Sequence, residues 1–124
     1  MKIIAELAWG HDGEINQAIK ILHAAKESGA DLFSIHITDL QSYMVKYYGN
    51  GEGKVSEGRE TLDIYSYLER INISNDEWVK FSEEARQIAL PLCVMPNDNK
   101  SLSFIESSIA VVISSKSKGF LKNL

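Results

Sequence analysis

The stretch IIAELAWGHDGEINQAIKILHAAKESGADLFSIH, residues 3 to 36, decides the fold, because it reads as one complete βαβ unit. Ile3 to Ala8 is a short, mostly apolar run, the pattern of a strand buried on both faces. Gly10 and Gly13 bracket His11 and Asp12, so the chain turns there with little side-chain bulk. Ile15, Ala18, Ile19, Leu22 and Ala25 then recur at helical spacing and form one apolar stripe. Gly29 closes that helix, and Asp31 to Ile37 supplies a second strand. A polar turn just after a strand of a parallel βα architecture lies at the strands' carboxyl ends, where such folds carry their chemistry.

Outward from this unit the alternation continues. Leu40, Tyr43, Met44, Tyr47 and Tyr48 suit one or two helical turns, and GNGEGK (residues 49–54) reads as a solvated loop. That loop is not a phosphate-binding P-loop. Tyr48 stands where the motif needs its first glycine, and Val55 where it needs a magnesium-holding hydroxyl. Leu62, Tyr65, Leu68 and Ile71 give a helical stripe from about Thr61 to Ile71. Ser74 and Glu77 form a capping box, opening a helix with Trp78, Phe81, Ala85 and Ile88 on its core-facing side. Leu90 to Met95 reads as a third strand, and Pro96, Asn97 and Asp98 as its exit turn. Ser101 to Ser107 follows as a short helix and Ile109 to Ser115 as a fourth strand. From Lys116 another loop and helix begin.

The 124 residues make a single domain, 1–124, with no internal repeat and no linker. Strands alternating with helices imply an α/β fold with a parallel sheet of about four strands and right-handed crossovers. A (β/α)8 TIM-like barrel takes roughly 250 residues. The chain therefore corresponds to half of such a barrel or to a small open sheet. An apolar fraction of 44% with 24% charged residues is ordinary for a globular protein. A net charge of −4 argues against a nucleic-acid or anionic-membrane partner. No run of about 18 apolar residues forms a membrane span, and Glu6 interrupts any signal-peptide core. Cys93 is the single cysteine, which excludes an internal disulfide and suits the cytoplasm. It reads as a small buried hydrophobe.

Several motifs together resemble the sialic acid synthase family, the N-acetylneuraminate and related nonulosonate synthases. ELAWGHDG (residues 6–13) is similar to the family's opening E-I-G-x-N-H-N-G. AAKESGAD (24–31) is similar to its A-A-K-E-A-G-A-D, and Ser34-Ile-His36 to its K-F-Q. The helix pair IYSYLERINISNDEWVKFSEEA (64–85) resembles the segment before its third strand. MPND (95–98) resembles T-P-F-D, and VISS (112–115) resembles K-I-A-S. The likeness runs through essentially the whole chain in order.

The resemblance implies the amino-terminal half of a TIM-type barrel. It also implies a condensation of phosphoenolpyruvate (PEP) with an N-acylmannosamine, assisted by a divalent metal, Mn or Mg. In that chemistry cations hold the phosphate and carboxylate, and the metal polarises the sugar aldehyde. Carried over by position, Glu6 is the catalytic candidate, with His11, His36, Asp98 and Ser115 as substrate-binding candidates. Departures from the pattern are specific. The lysine of K-F-Q is Ser34 and its glutamine is His36. Met95 replaces the threonine of T-P-F-D, Val112 the lysine of K-I-A-S, and Ser117 the glutamate beyond it.

Removing one charge-assisted hydrogen bond to a phosphate costs about 1.5–3 kcal/mol. The chain alone is therefore expected not to turn over PEP, and no metal set is supported by its own residues. The family's metal-binding histidines would fall beyond Leu124. The alternative expectation is a non-catalytic α/β module, pairing with a second copy or a second half barrel through the free edges of its sheet.

Overall fold

The computed structural model describes residues 1–44, 64–109 and, as backbone, 112–113. Sequence readings that fall on 45–63, 110–111 and 114–124, Ser115 and the GNGEGK loop among them, lie outside the described residues.

Four parallel strands form one sheet in the order β1-β2-β3-β4. They are β1 (Ile4–Glu6), β2 (Leu32–Ile37), β3 (Leu92–Pro96) and β4 (Val112–Ile113). Between β1 and β2 runs α1 (Ile15–Glu27). Between β2 and β3 lie α2 (Leu40–Tyr43), α3 (Ile64–Ile71) and α4 (Asn75–Gln87), and α5 (Asn99–Ser108) precedes β4. Consecutive strands are neighbours throughout, so the sheet is singly wound, without the order reversal of a doubly wound sheet.

Alternation along β2 explains the layers. Phe33, Ile35 and Ile37 are fully buried, while Leu32, Ser34 and His36 are half-buried. The buried set meets Leu92 and Val94 of β3, Ala18 and Leu22 of α1, and Trp78, Phe81 and Ala85 of α4. Phe81 centres this core, 6.0 Å from Phe33 and 5.5 Å from Trp78 between ring centroids. Burying each such side chain contributes about 1.5–3 kcal/mol. The opposite face carries Ile4, Glu6, Ser34, His36, Cys93 and Met95, all half-buried or exposed. This corrects the reading of the first strand as buried on both faces: Ile4 is 55% exposed. Cys93 is likewise half-buried rather than fully enclosed, and partial burial raises its thiol above the ordinary range.

Helix ends follow the sequence signals. Ser74 and Glu77 form the expected reciprocal cap of α4, and those bonds hold the Glu77 carboxyl below its usual range. Past α1, Gly29 (φ +85°) and Ala30 donate back to Lys26 and Ala25, a left-handed cap with open space around Gly29. Past α4 the same cap is made with Ala89 (φ +53°) in the left-handed position. Gly13 differs from both glycine and alanine caps. It has φ +82°, and a β-carbon there would stand 2.9 Å from the Ile71 Cα, so the turn after β1 lies directly on the end of α3.

Gly29→Ala is therefore expected to cost about 1 kcal/mol through backbone conformation alone. Gly13→Ala should cost roughly twice that or more, because a backbone clash is added. Urea melts of the two variants check the order. Equal losses would show that the turn does not pack on α3.

Candidate functional site

The carboxyl ends of β1, β2 and β3 surround a cavity of about 400 Å3. Register alone brings its polar groups together. Glu6 pairs with Ser34, so His36, two residues on, projects from the same face one step nearer the strand ends. The His36 Nε2 lies 3.2 Å from Glu6 Oε1, and its Nδ1 lies 3.4 Å from Asn97 Oδ1. Asn97 is fixed in turn by its own Nδ2, which donates to Thr38 Oγ1 at 2.8 Å, and by its N–H on the Ile37 carbonyl. A carboxylate, an imidazole and an amide thus form a chain across three strand ends.

His11 enters the cavity wall from the turn after β1. It is 3% exposed and lies between two indoles, its ring centroid 5.8 Å from Trp9 and 6.1 Å from Trp78. The Gly13 N–H donates to His11 Nδ1 at 3.0 Å, which leaves the ring proton on Nε2 in the neutral form. Burial lowers the imidazole below its ordinary value of 6.5, overcoming the opposing pull of the Asp12 carboxylate. His11 is therefore a neutral donor at pH 7, built by the same glycine that seats the turn on α3. Ala8, just before Trp9, holds φ +47°, and Asp12 holds φ +47° as well. The family pattern has glycine at the first of these positions, which suits that conformation. Ala8 keeps it at a cost of about 1 kcal/mol.

Glu6, His11 and His36 share this cavity, as expected of candidates on one face. Asp98 is at the same end but otherwise engaged. Its Oδ1 accepts from the Ser101 N–H and its Oδ2 from the Asp39 N–H and the Ser101 hydroxyl, all at 2.8 Å, which caps α5 and ties it to the turn after β2. His36 meets Glu6 and Asn97. Asn97, Asn72, Trp9 and Tyr43 also line the cavity, and sequence reading had not singled them out. For Asn97 a signal existed, since it follows a strand directly. Asn72 carried none, because its place depends on α3 and on its Nδ2 bond to the Thr38 carbonyl at 3.0 Å.

Among the described residues no three His, Cys, Asp or Glu side chains come together as a metal-binding group. The donor set of the described residues does not fit a divalent ion. No lysine or arginine is found among the described residues lining the cavity. No helix of the described residues is long and apolar enough to cross a membrane.

No protein-family model matches the chain. In sequence it is 27% identical over 105 residues to the N,N'-diacetyllegionaminic acid synthase of Legionella pneumophila, which covers 85% of this chain and 30% of that protein. In fold it is similar to the spore coat polysaccharide biosynthesis protein E of Chromobacterium violaceum (TM-score 0.68, 21% identity, 91% of this chain and 33% of the other). It is also similar to the N-acetylneuraminic acid synthetase of Leptospira borgpetersenii (TM-score 0.67, 16% identity, 90% and 34%).

Because His11 resists protonation in the folded state while the unfolded chain does not, stability should fall as pH drops below about 6.5 and level off below the folded value. Urea midpoints measured from pH 8 to pH 5 check this. The slope should flatten in His11→Asn; an unchanged slope would place the titration elsewhere.

The likeness to the nonulosonic acid synthases that the motifs carry is thus found again in sequence and in fold, and the chain spans about a third of the length of those relatives.

Proposed function

We propose that the chain is a half barrel of the nonulosonic acid synthase type, the first four strands of a (β/α)8 ring, and that its cavity receives the uncharged sugar partner of that reaction. One observation carries this reading: Glu6, His11 and His36 converge at the carboxyl ends of consecutively ordered parallel strands, in a cavity where no cationic side chain of the described residues is found. A site of amide, carboxylate and imidazole groups matches hydroxyls and an N-acyl group. It does not match the phosphate and carboxylate of PEP, which need charge-assisted donors. In this reading Glu6 is the acid–base group at the sugar, positioned through His36, and His11 donates from Nε2 to a substrate oxygen. Any metal required would come with ligands outside the described residues. The single thiol is consistent with work in the cytoplasm.

The purified chain, incubated with PEP, N-acetylmannosamine and manganese, should release no phosphate above background. It should nonetheless give saturable heat with N-acetylmannosamine in calorimetry. Phosphate release would overturn the inactive reading, and absence of heat would overturn the sugar site.

A second reading has its own observation. Among the described residues the inner face of the sheet is uncovered, with Ile4 55% exposed, and β1 and β4 are the outermost strands of the order. Two copies, or this chain and a separate second half barrel, would close a ring through those edges and cover that face. The isolated chain should then sediment as a dimer at high micromolar concentration. A monomer there would exclude pairing with itself.

A further inference from the structure

Exposed aromatic side chains are expensive to leave in water, and two of them stand at this cavity. Of the large apolar residues most exposed in the described chain, Trp9 (45%) and Tyr43 (52%) line it, one from the turn after β1 and one from α2. Neither is a position that the family motifs specify.

We propose that Trp9 and Tyr43 form an aromatic rim that binds the apolar face of a saccharide ring, while Glu6, Asn72, Asn97 and the His11 Nε2–H bind its hydroxyl edge. The proposal rests on the reading of the cavity as a sugar site and adds to it the residues that set affinity.

Trp9 is held in place by backbone. Its carbonyl accepts from the Asp12 N–H at 3.1 Å, the Gly10 N–H closes on the Leu7 carbonyl at 3.0 Å, and Ala8 takes a left-handed conformation just before it. Its ring leans on His11 at an interplanar angle of 47°, so the indole is braced from within and still nearly half exposed. A strained residue that orients an exposed indole at a cavity mouth is the pattern of a binding element, not of a core.

The lining agrees with the saccharide class of the proposed function. An anion finds no lysine or arginine among the described residues of the cavity. A wholly apolar ligand would strip water from Glu6, His36, Asn72 and Asn97 without replacing its hydrogen bonds. A saccharide ring has an apolar CH face and a rim of hydroxyls, and it satisfies both halves of the wall. The rim also accounts for the position of the second tryptophan, since Trp78, 3% exposed, lies under His11 as part of the core and is not available for stacking.

The chain contains two tryptophans, Trp9 at the rim and the buried Trp78, so the difference in emission between the wild type and Trp9→Phe isolates the share of Trp9. Titration with N-acetylmannosamine should shift or quench the fluorescence saturably, at the concentrations that give calorimetric heat. PEP should do neither. Trp9→Ala and Tyr43→Ala should each weaken binding roughly 10-fold, while Trp9→Phe stays within about threefold because it keeps a ring. Circular dichroism establishes that each variant is folded, and the ligand-induced emission change should be lost in Trp9→Phe, which keeps only Trp78. Heat from the wild type with no emission change and no weakening in either alanine variant would overturn the aromatic rim and leave the sugar site standing. Neither heat nor emission change would overturn both.

Discussion

The register of β2 between β1 and β3 is the constraint on which the rest depends. Side chains on a strand alternate between faces, so the pairing of Glu6 with Ser34, and of Ser34 with Cys93, settles both layers at once. It sends Phe33, Ile35 and Ile37 into the helix-covered core and leaves Ser34 and His36 on the open face. A slip of one residue would exchange the two sets, burying His36 and exposing Ile35. The core therefore selects the register that forms the cavity. Apolar burial of several side chains, at about 1.5–3 kcal/mol each, far outweighs the half-exposed Glu6–His36 contact, which at that exposure contributes about 1 kcal/mol or less.

Around that register, the strand ends are tied by hydrogen bonds rather than by packing. Thr38 accepts from Asn72 at its carbonyl and from Asn97 at its hydroxyl, which joins α3 and the exit of β3 to the exit of β2. Asp98 and Ser101 both accept from the Asp39 N–H, which fixes the same exit to α5. Gly13 completes the set by laying the first turn on Ile71. Asp98 illustrates how such residues can look functional from sequence. A carboxylate in the turn after a strand suits a substrate contact or a helix cap, and here its acceptors are taken by the backbone and a hydroxyl, as a cap.

Much of this was legible in the residues, and the limits have physical reasons. The βαβ unit of residues 3–36, the capping box at Ser74 and the core faces of α1 and α4 follow from local periodicity and caps, which neighbouring elements do not alter. Glu6, His11 and His36 were recognised as candidates because strand-end polar residues in a parallel sheet point the same way. Their partners were not. The bond between His36 and Asn97 spans 61 residues, and nothing in either segment encodes it. Trp9 looked like part of a glycine turn, and its exposure depends on a left-handed Ala8 that only the folded backbone reveals. The solvent-open inner face was misread for a related reason. Ile4 has the composition of a buried strand residue, and composition does not say which face of a sheet is covered.

The register itself can be tested with one thiol. Ser34 and the native Cys93 are paired on adjacent parallel strands and share the open face, at a separation that neighbouring strands set near 5 Å. Ser34→Cys should therefore close an intramolecular disulfide with Cys93 on mild oxidation, seen as a mass loss of about two daltons and two missing free thiols. Ile35→Cys, facing the core and paired with Val94, should remain reduced. Closure by the Ile35 variant and not by the Ser34 variant would contradict the pairing, and with it the convergence of Glu6, His36 and Asn97 on one cavity.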